Sequence, residues 1–96
     1  MFVLVAYDVS TSTSAGMKRL SRIAKICKNF GQRVQNSVFE CYVDPAQWVS
    51  LKAQLLKTYS EKDDSLRFYF LGNKWDKRIE HHGVNSGFNP TQDIIL

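Results

Sequence analysis

The chain has 96 residues, a net charge of +4 and the composition of an ordinary globular protein. That length holds one domain with a modest core, so association is an expected supplement to its stability. The opening apolar run is far short of the roughly 20 residues of a membrane-spanning helix, and it meets an acid too early for a secretory signal, so no membrane partner and a cytoplasmic location are expected.

Phe2-Val3-Leu4-Val5-Ala6-Tyr7 begins a buried strand over 2–9, and Asp8 sits where that strand surfaces. A hydroxyl-rich loop follows, from Val9 to Gly16. A helix is then expected over about 15–30. Met17, Leu20, Ile23, Ala24, Cys27 and Phe30 recur at three- and four-residue steps and form one apolar stripe. Lys18, Arg19, Arg22, Lys25 and Lys28 fill most of the remaining surface. Gly31 is placed to end the helix with a left-handed residue.

The segment 32–43 is rich in β-branched and aromatic residues and is interrupted by Asn36-Ser37, which reads as two strands with a tight connection. Asp44-Pro45 opens a second helix. Asp44 is the N-cap, Pro45 suits the first position, and Gln47 closes a capping box. Val49, Ala53, Leu56 and Tyr59 are its expected inner face, with Leu51 and Leu55 beside it. Ser60-Glu61-Lys62-Asp63-Asp64 reads as a solvated polar turn. The last core strand covers 65–71, with Leu66, Phe68 and Phe70 alternating against Arg67, Tyr69 and Leu71. Ile79-Glu80-His81-His82 forms an extra strand, and 83–96 is a tail with an apolar end at Ile94-Ile95-Leu96.

The order strand, helix, strand, strand, helix, strand is the α+β, ferredoxin-like βαββαβ sandwich. Two helices cover one face of a four-stranded antiparallel sheet, in a domain spanning 1–82. The other face is bare. Tyr7, Val38, Phe39 and Tyr69 are expected on it, with a second protomer as the simplest cover.

An acid at a strand exit beside a basic helix is a candidate metal site facing a phosphate backbone. The structural alternative is an Asp that caps a turn. Arg19 and Arg22 are three apart and share a side of the helix near its start. Ser10 and Thr11 can position a water or phosphate, or simply satisfy loop backbone groups. His81 and His82 are adjacent in a strand, point to opposite faces and so do not share one metal. Trp48 and Trp75 read as packing or interface residues. Cys27 and Cys41 lack CxxC spacing and clustered histidines, which makes them buried free thiols. No triad, GxGxxG or Walker loop is present. The aromatic pattern of an RNA-recognition module is absent from the central strands.

Tyr7-Asp8-Val9 closing the first strand, Lys18-Arg19-Leu20 in the helix, and the block Arg33-Val34-Gln35-Asn36-Ser37-Val38-Phe39-Glu40 resemble the small CRISPR-associated proteins of type two. The resemblance runs from Met1 to about Gly72. It implies a homodimer that holds magnesium, with manganese as a substitute, through the Asp8 of both chains. It implies a metal-dependent endonuclease acting on double-stranded DNA or single-stranded RNA in spacer acquisition, in complex with the CRISPR integrase. A non-catalytic adaptor bridging duplex DNA and that integrase is the alternative. Carried over by position, Asp8 is the catalytic and metal residue. Arg19, Arg22, Arg33 and Phe39 match positions implicated in activity or nucleic-acid contact, and Tyr7, Ser10 and Lys18 are further expected nucleic-acid contacts. A single Asp is a poor magnesium site, and a twofold axis would supply the second carboxylate.

Overall fold

The computed structural model describes residues 1–72 and 78–84. Trp75, the tail beyond Val84 and its apolar end lie outside them. The elements are β1 (Phe2–Asp8), α1 (Ser14–Lys28), β2 (Gly31–Gln35), β3 (Val38–Tyr42), α2 (Pro45–Thr58), β4 (Ser65–Leu71) and β5 (Arg78–Gly83). The strands form one antiparallel sheet in the order β2-β3-β1-β4-β5. This is the expected ferredoxin-like fold with the extra strand added beside β4.

The sheet's inner face is set by alternation along β1. Val3, Val5 and Tyr7 are buried and Asp8 is exposed. Val5 lies opposite both Phe39 and Phe68, and Val3 lies opposite Cys41. These side chains share one face with Ile23, Ala24 and Cys27 of α1 and Leu51 and Leu55 of α2. Tyr7 and Phe39 therefore belong to the core, a correction to their expected place on the bare face. An aromatic ring gains more from full burial than from the wet side of a one-sided sheet. Phe2, Leu4, Ala6, Val38, Tyr42 and Tyr69 lie on the open face instead, with Phe2 stacked on Tyr42 at 4.7 Å.

Both helices are phased by their caps. The Thr13 hydroxyl accepts from the Gly16 N–H at 3.0 Å. Asp44 accepts from the Gln47 N–H at 2.7 Å, and the Gln47 side chain accepts from the Asp44 N–H at 2.9 Å, the expected capping box. That start turns Leu51 and Leu55 inward and sets Trp48 edge-on to Phe68 (4.9 Å) and Phe70 (5.1 Å). Val49 and Ala53 face outward, as does Met17 on α1, against the expected stripes. Spacing alone leaves two adjacent apolar faces, and sheet contact chooses between them.

Gly31 does not end α1 in a left-handed conformation: among the described residues only Gly83 has positive φ, at 93°. Asn29 closes the helix in right-handed geometry. Gly31 instead opens β2 where a Cβ would stand 1.8 Å from the Glu40 carbonyl oxygen. Cys27 and Cys41 are free and buried, as expected.

The Gly31→Ala variant should be destabilised by about 1–3 kcal/mol through forced separation of β2 from β3. Urea unfolding reads this directly, and wild-type stability would show that the strands part without cost.

Candidate functional site

Asp8 ends β1 on the open face, exposed to solvent. Strand register defines its neighbours. Asp8 lies opposite Ser65, Ala6 opposite Arg67, and Arg67 opposite His81. Asp8, Ser37, Ser65 and Arg67 line a concavity of about 180 Å³. A second concavity, on the loop side of Asp8, is lined by Ser10, Asp63, Ser65 and Val84.

His81 closes the strand edge. Its Nε2 is 3.0 Å from the Ser65 hydroxyl and 2.9 Å from the Val84 carbonyl oxygen. A carbonyl only accepts, so Nε2 carries the proton and Nδ1 holds the lone pair in the neutral ring. His82 turns to the other side, where Nε2 is 2.7 Å from Glu80 Oε2. The expected divergence of the two histidines holds. Lys52 of α2 also pairs with Glu80, tying β5 to that helix.

Behind Asp8 lies a buried ionic knot. Asp64 is fully buried, not part of a solvated turn as expected. It accepts from the Tyr7 hydroxyl, from Arg19 Nε at 2.8 Å and Nη2 at 3.1 Å, and from the Ser60 N–H at 2.9 Å. Burial alone would raise the carboxyl, but Arg19, Tyr7 and the Ser60 N–H outweigh it and hold Asp64 below its ordinary range. Burial and the Asp64 hydrogen bond push the Tyr7 hydroxyl well above the usual phenol range. The fork of hydrogen bonds to Asp64 raises Arg19 further. Asp63, by contrast, is exposed and takes a 3.1 Å hydrogen bond from the Ser60 hydroxyl.

The expected nucleic-acid contacts therefore divide. Lys18 and Arg22 are exposed one turn apart, with Lys25 continuing the stripe. Arg19 turns inward to Asp64 and does not share their side. Arg33 is exposed, donates from Nε to the Asn36 carbonyl at 2.8 Å, and stands 5.7 Å over the Phe39 ring. Tyr7 and Phe39 are sealed in the core, at 1% and 0% exposure, so neither offers a ring for stacking on a base. Ser10 is exposed and its hydroxyl bonds Ser12 at 2.8 Å. The Ser10 backbone folds against Gly16, where a Cβ would meet its carbonyl oxygen at 1.8 Å.

Sequence reading missed Asp64, Ser65 and Arg67. The period-two pattern of β4 already set Arg67 apart from Leu66 and Phe68; only the β1 register brings it beside Asp8. Among the described residues no cluster of three His, Cys, Asp or Glu side chains could hold a metal ion. The exposed Asp8 carboxylate is nonetheless a hard oxygen donor. It suits magnesium, which keeps several waters and takes one or two carboxylates.

The family model for CRISPR associated protein Cas2 matches residues 1–79. The CRISPR-associated endoribonuclease Cas2 of Chlorobaculum tepidum is 65% identical over 96 residues, all of both chains. The CRISPR-associated endonuclease Cas2 of Halalkalibacterium halodurans is 50% identical, again over all of both chains. The crystal structure of Streptococcus pyogenes Cas2 at pH 6.5 superposes with a TM-score of 0.74 and 57% identity, covering 83% of this chain and 96% of that one.

Because Asp64 is more acidic folded than unfolded, its ion pair stabilises the protein above the unfolded value of about 4 and is lost as pH falls through the lower folded value. Asp64→Asn should cost roughly 1.5–3 kcal/mol at neutral pH, since the buried Tyr7 hydroxyl loses a charged acceptor, and should flatten the acid limb of stability below about pH 4. Denaturant melts at several pH values check both; an unchanged acid limb would remove Asp64 as its source.

Proposed function

This chain belongs to the CRISPR associated protein Cas2 family, and from that premise we propose that it is a metal-dependent endonuclease acting in spacer acquisition for antiviral defence. The observation that carries the reading is Asp8, an exposed acid at a strand end beside a concavity that also holds Arg67 and Ser65. The endoribonuclease and endonuclease names of the relatives support phosphodiester hydrolysis. Double-stranded DNA and single-stranded RNA are the substrates to compare.

In this mechanism Asp8 from each of two copies would hold magnesium, with manganese as the substitute. A metal held there would supply Lewis acidity for activating a water and a phosphoryl oxygen. Asp8 supplies a fixed anchor because Tyr7, one residue earlier, is tied through its hydroxyl to Asp64. Lys18 and Arg22 hold phosphates along the strand by contacts that carry no sequence information. The work is done in the cytoplasm, as a homodimer partnered with the CRISPR integrase.

A second reading has its own observation. The exposed cations of α1 belong to the helical layer, while Asp8 faces away from it on the open side of the sheet. Duplex binding as a dimeric adaptor for the integrase therefore does not require Asp8.

The nuclease reading expects metal-dependent cleavage to fall by more than about 100-fold in Asp8→Ala, a larger loss than removing a supporting partner of a metal ligand brings. Matched preparations assayed on duplex DNA and single-stranded RNA, with and without magnesium, decide it; equal cleavage by both would sink the assignment. The adaptor reading expects Asp8→Ala to bind duplex normally. Replacing Lys18, Arg22 and Lys25 with Gln should then reduce the salt slope of duplex binding by about one per lost contact. An unchanged slope would move the duplex off α1.

A further inference from the structure

The open face at the end of β1 carries more than the Asp8 carboxylate. Ser65 and Arg67 point to the same side as Asp8, because Leu66 and Phe68 between and beyond them point into the core. Arg67 is half-buried with its Nε enclosed, and it forms one wall of the concavity whose other polar groups are Asp8, Ser37 and Ser65. His81 lies opposite Arg67 across the β4–β5 pair and bonds the Ser65 hydroxyl, so the end of β4 that bears Arg67 is braced.

A guanidinium on a rigid strand, beside two hydroxyls, is the chemistry that recognises a phosphodiester. It offers a planar fork of donors to two non-bridging oxygens, and partial burial strengthens each bond by lowering the local dielectric. The adjoining carboxylate makes the site selective. An anion can settle at the Arg67 end, whereas Asp8 repels it unless a cation intervenes. The cations of α1 cannot serve here, since they lie in the layer behind the sheet.

We propose that Arg67 is the phosphodiester-seating residue of the Asp8 site. It grips the non-bridging oxygens of the bond to be cut and is distinct from the α1 cations that hold the rest of the strand. This inference rests on the nuclease reading for its catalytic meaning, but not for the binding it claims. Arg67 gives up no proton. In hydrolysis the water oxygen bonds to phosphorus, the bond from phosphorus to the leaving sugar oxygen breaks, that oxygen takes a proton from solvent, and the attacking water loses one. Arg67 only balances negative charge on the phosphoryl oxygens as it grows.

The test needs no turnover. Full-length protein is titrated, without divalent metal, with dithymidine joined by a nuclease-resistant phosphorothioate, a probe too short to span both faces. The arginine Nε–H signals are followed by ¹H–¹⁵N NMR. The Arg67 signal, identified by its loss in Arg67→Gln, should move on titration, and Arg67→Gln should weaken binding at least about 10-fold, as expected for a charged hydrogen-bonding partner. Arg67→Lys should fall between, keeping charge but losing the fork. Lys57→Gln, which removes the same charge from the exposed end of α2, should bind the probe as the wild type does. Equal loss in Lys57→Gln would reduce the effect to net charge and overturn the proposal. So would unchanged binding by Arg67→Gln, or a change in its oligomeric mass accompanying the loss. Cleavage is then measured on the same variants. Lost probe binding with an inactive wild type would leave the phosphate seat standing and remove the nuclease reading. An active wild type with full probe binding by Arg67→Gln would do the reverse.

Discussion

The buried carboxylate of Asp64 is the constraint on which the rest of this structure depends. A lone charge in that position would cost several kcal/mol in lost hydration. It is tolerated because Tyr7, two nitrogens of Arg19 and the Ser60 N–H converge on it. Those partners come from β1, α1 and the loop after α2, so one side chain ties three elements at one end of the sheet. None of the four bonds can be removed without leaving a buried polar group unmet, which makes the junction a geometric lock as well as a source of stability.

That lock sits directly behind Asp8. Alternation along β1 sends Tyr7 inward and Asp8 outward, so holding the Tyr7 hydroxyl fixes the backbone from which Asp8 projects. The close seat of Gly16 against the Ser10 carbonyl does the same for the loop that follows. Asp8 is thus a flexible-looking residue at a strand exit with a rigid base. In the proposed role, which asks a carboxylate to hold a cation in a fixed position, such a base is an advantage.

The sheet also separates two kinds of charge. Its open side carries Asp8, Arg67, Ser65 and His81 in a compact patch, and the helical layer carries the exposed stripe Lys18, Arg22 and Lys25. A nucleic acid could lie along one without engaging the other. This division makes a nuclease role and an adaptor role compatible in one small fold. The same geometry explains why Arg19 turns inward to Asp64 while Lys18, its neighbour in sequence, meets solvent. A step of one residue on a helix turns a side chain by about 100°.

Much of this was legible in the residues alone. The strand and helix order, the Asp44 cap, the buried thiols, the hairpin at Asn36-Ser37 and the opposed histidines follow from spacing and local backbone chemistry, which act over a few residues. The exposed Asp8 at the strand exit was legible for the same reason. Three-dimensional packing decided what spacing leaves open: that Tyr7 and Phe39 are core residues, that Leu51 and Leu55 rather than Val49 and Ala53 face the sheet, and that Gly31 serves close strand approach. It alone buried Asp64, whose partners Tyr7 and Arg19 lie 57 and 45 residues away. It alone brought Arg67 beside Asp8. Periodicity says which residues share a face of their own element; only the pairing of distant strands and the closing of the core say what that face meets.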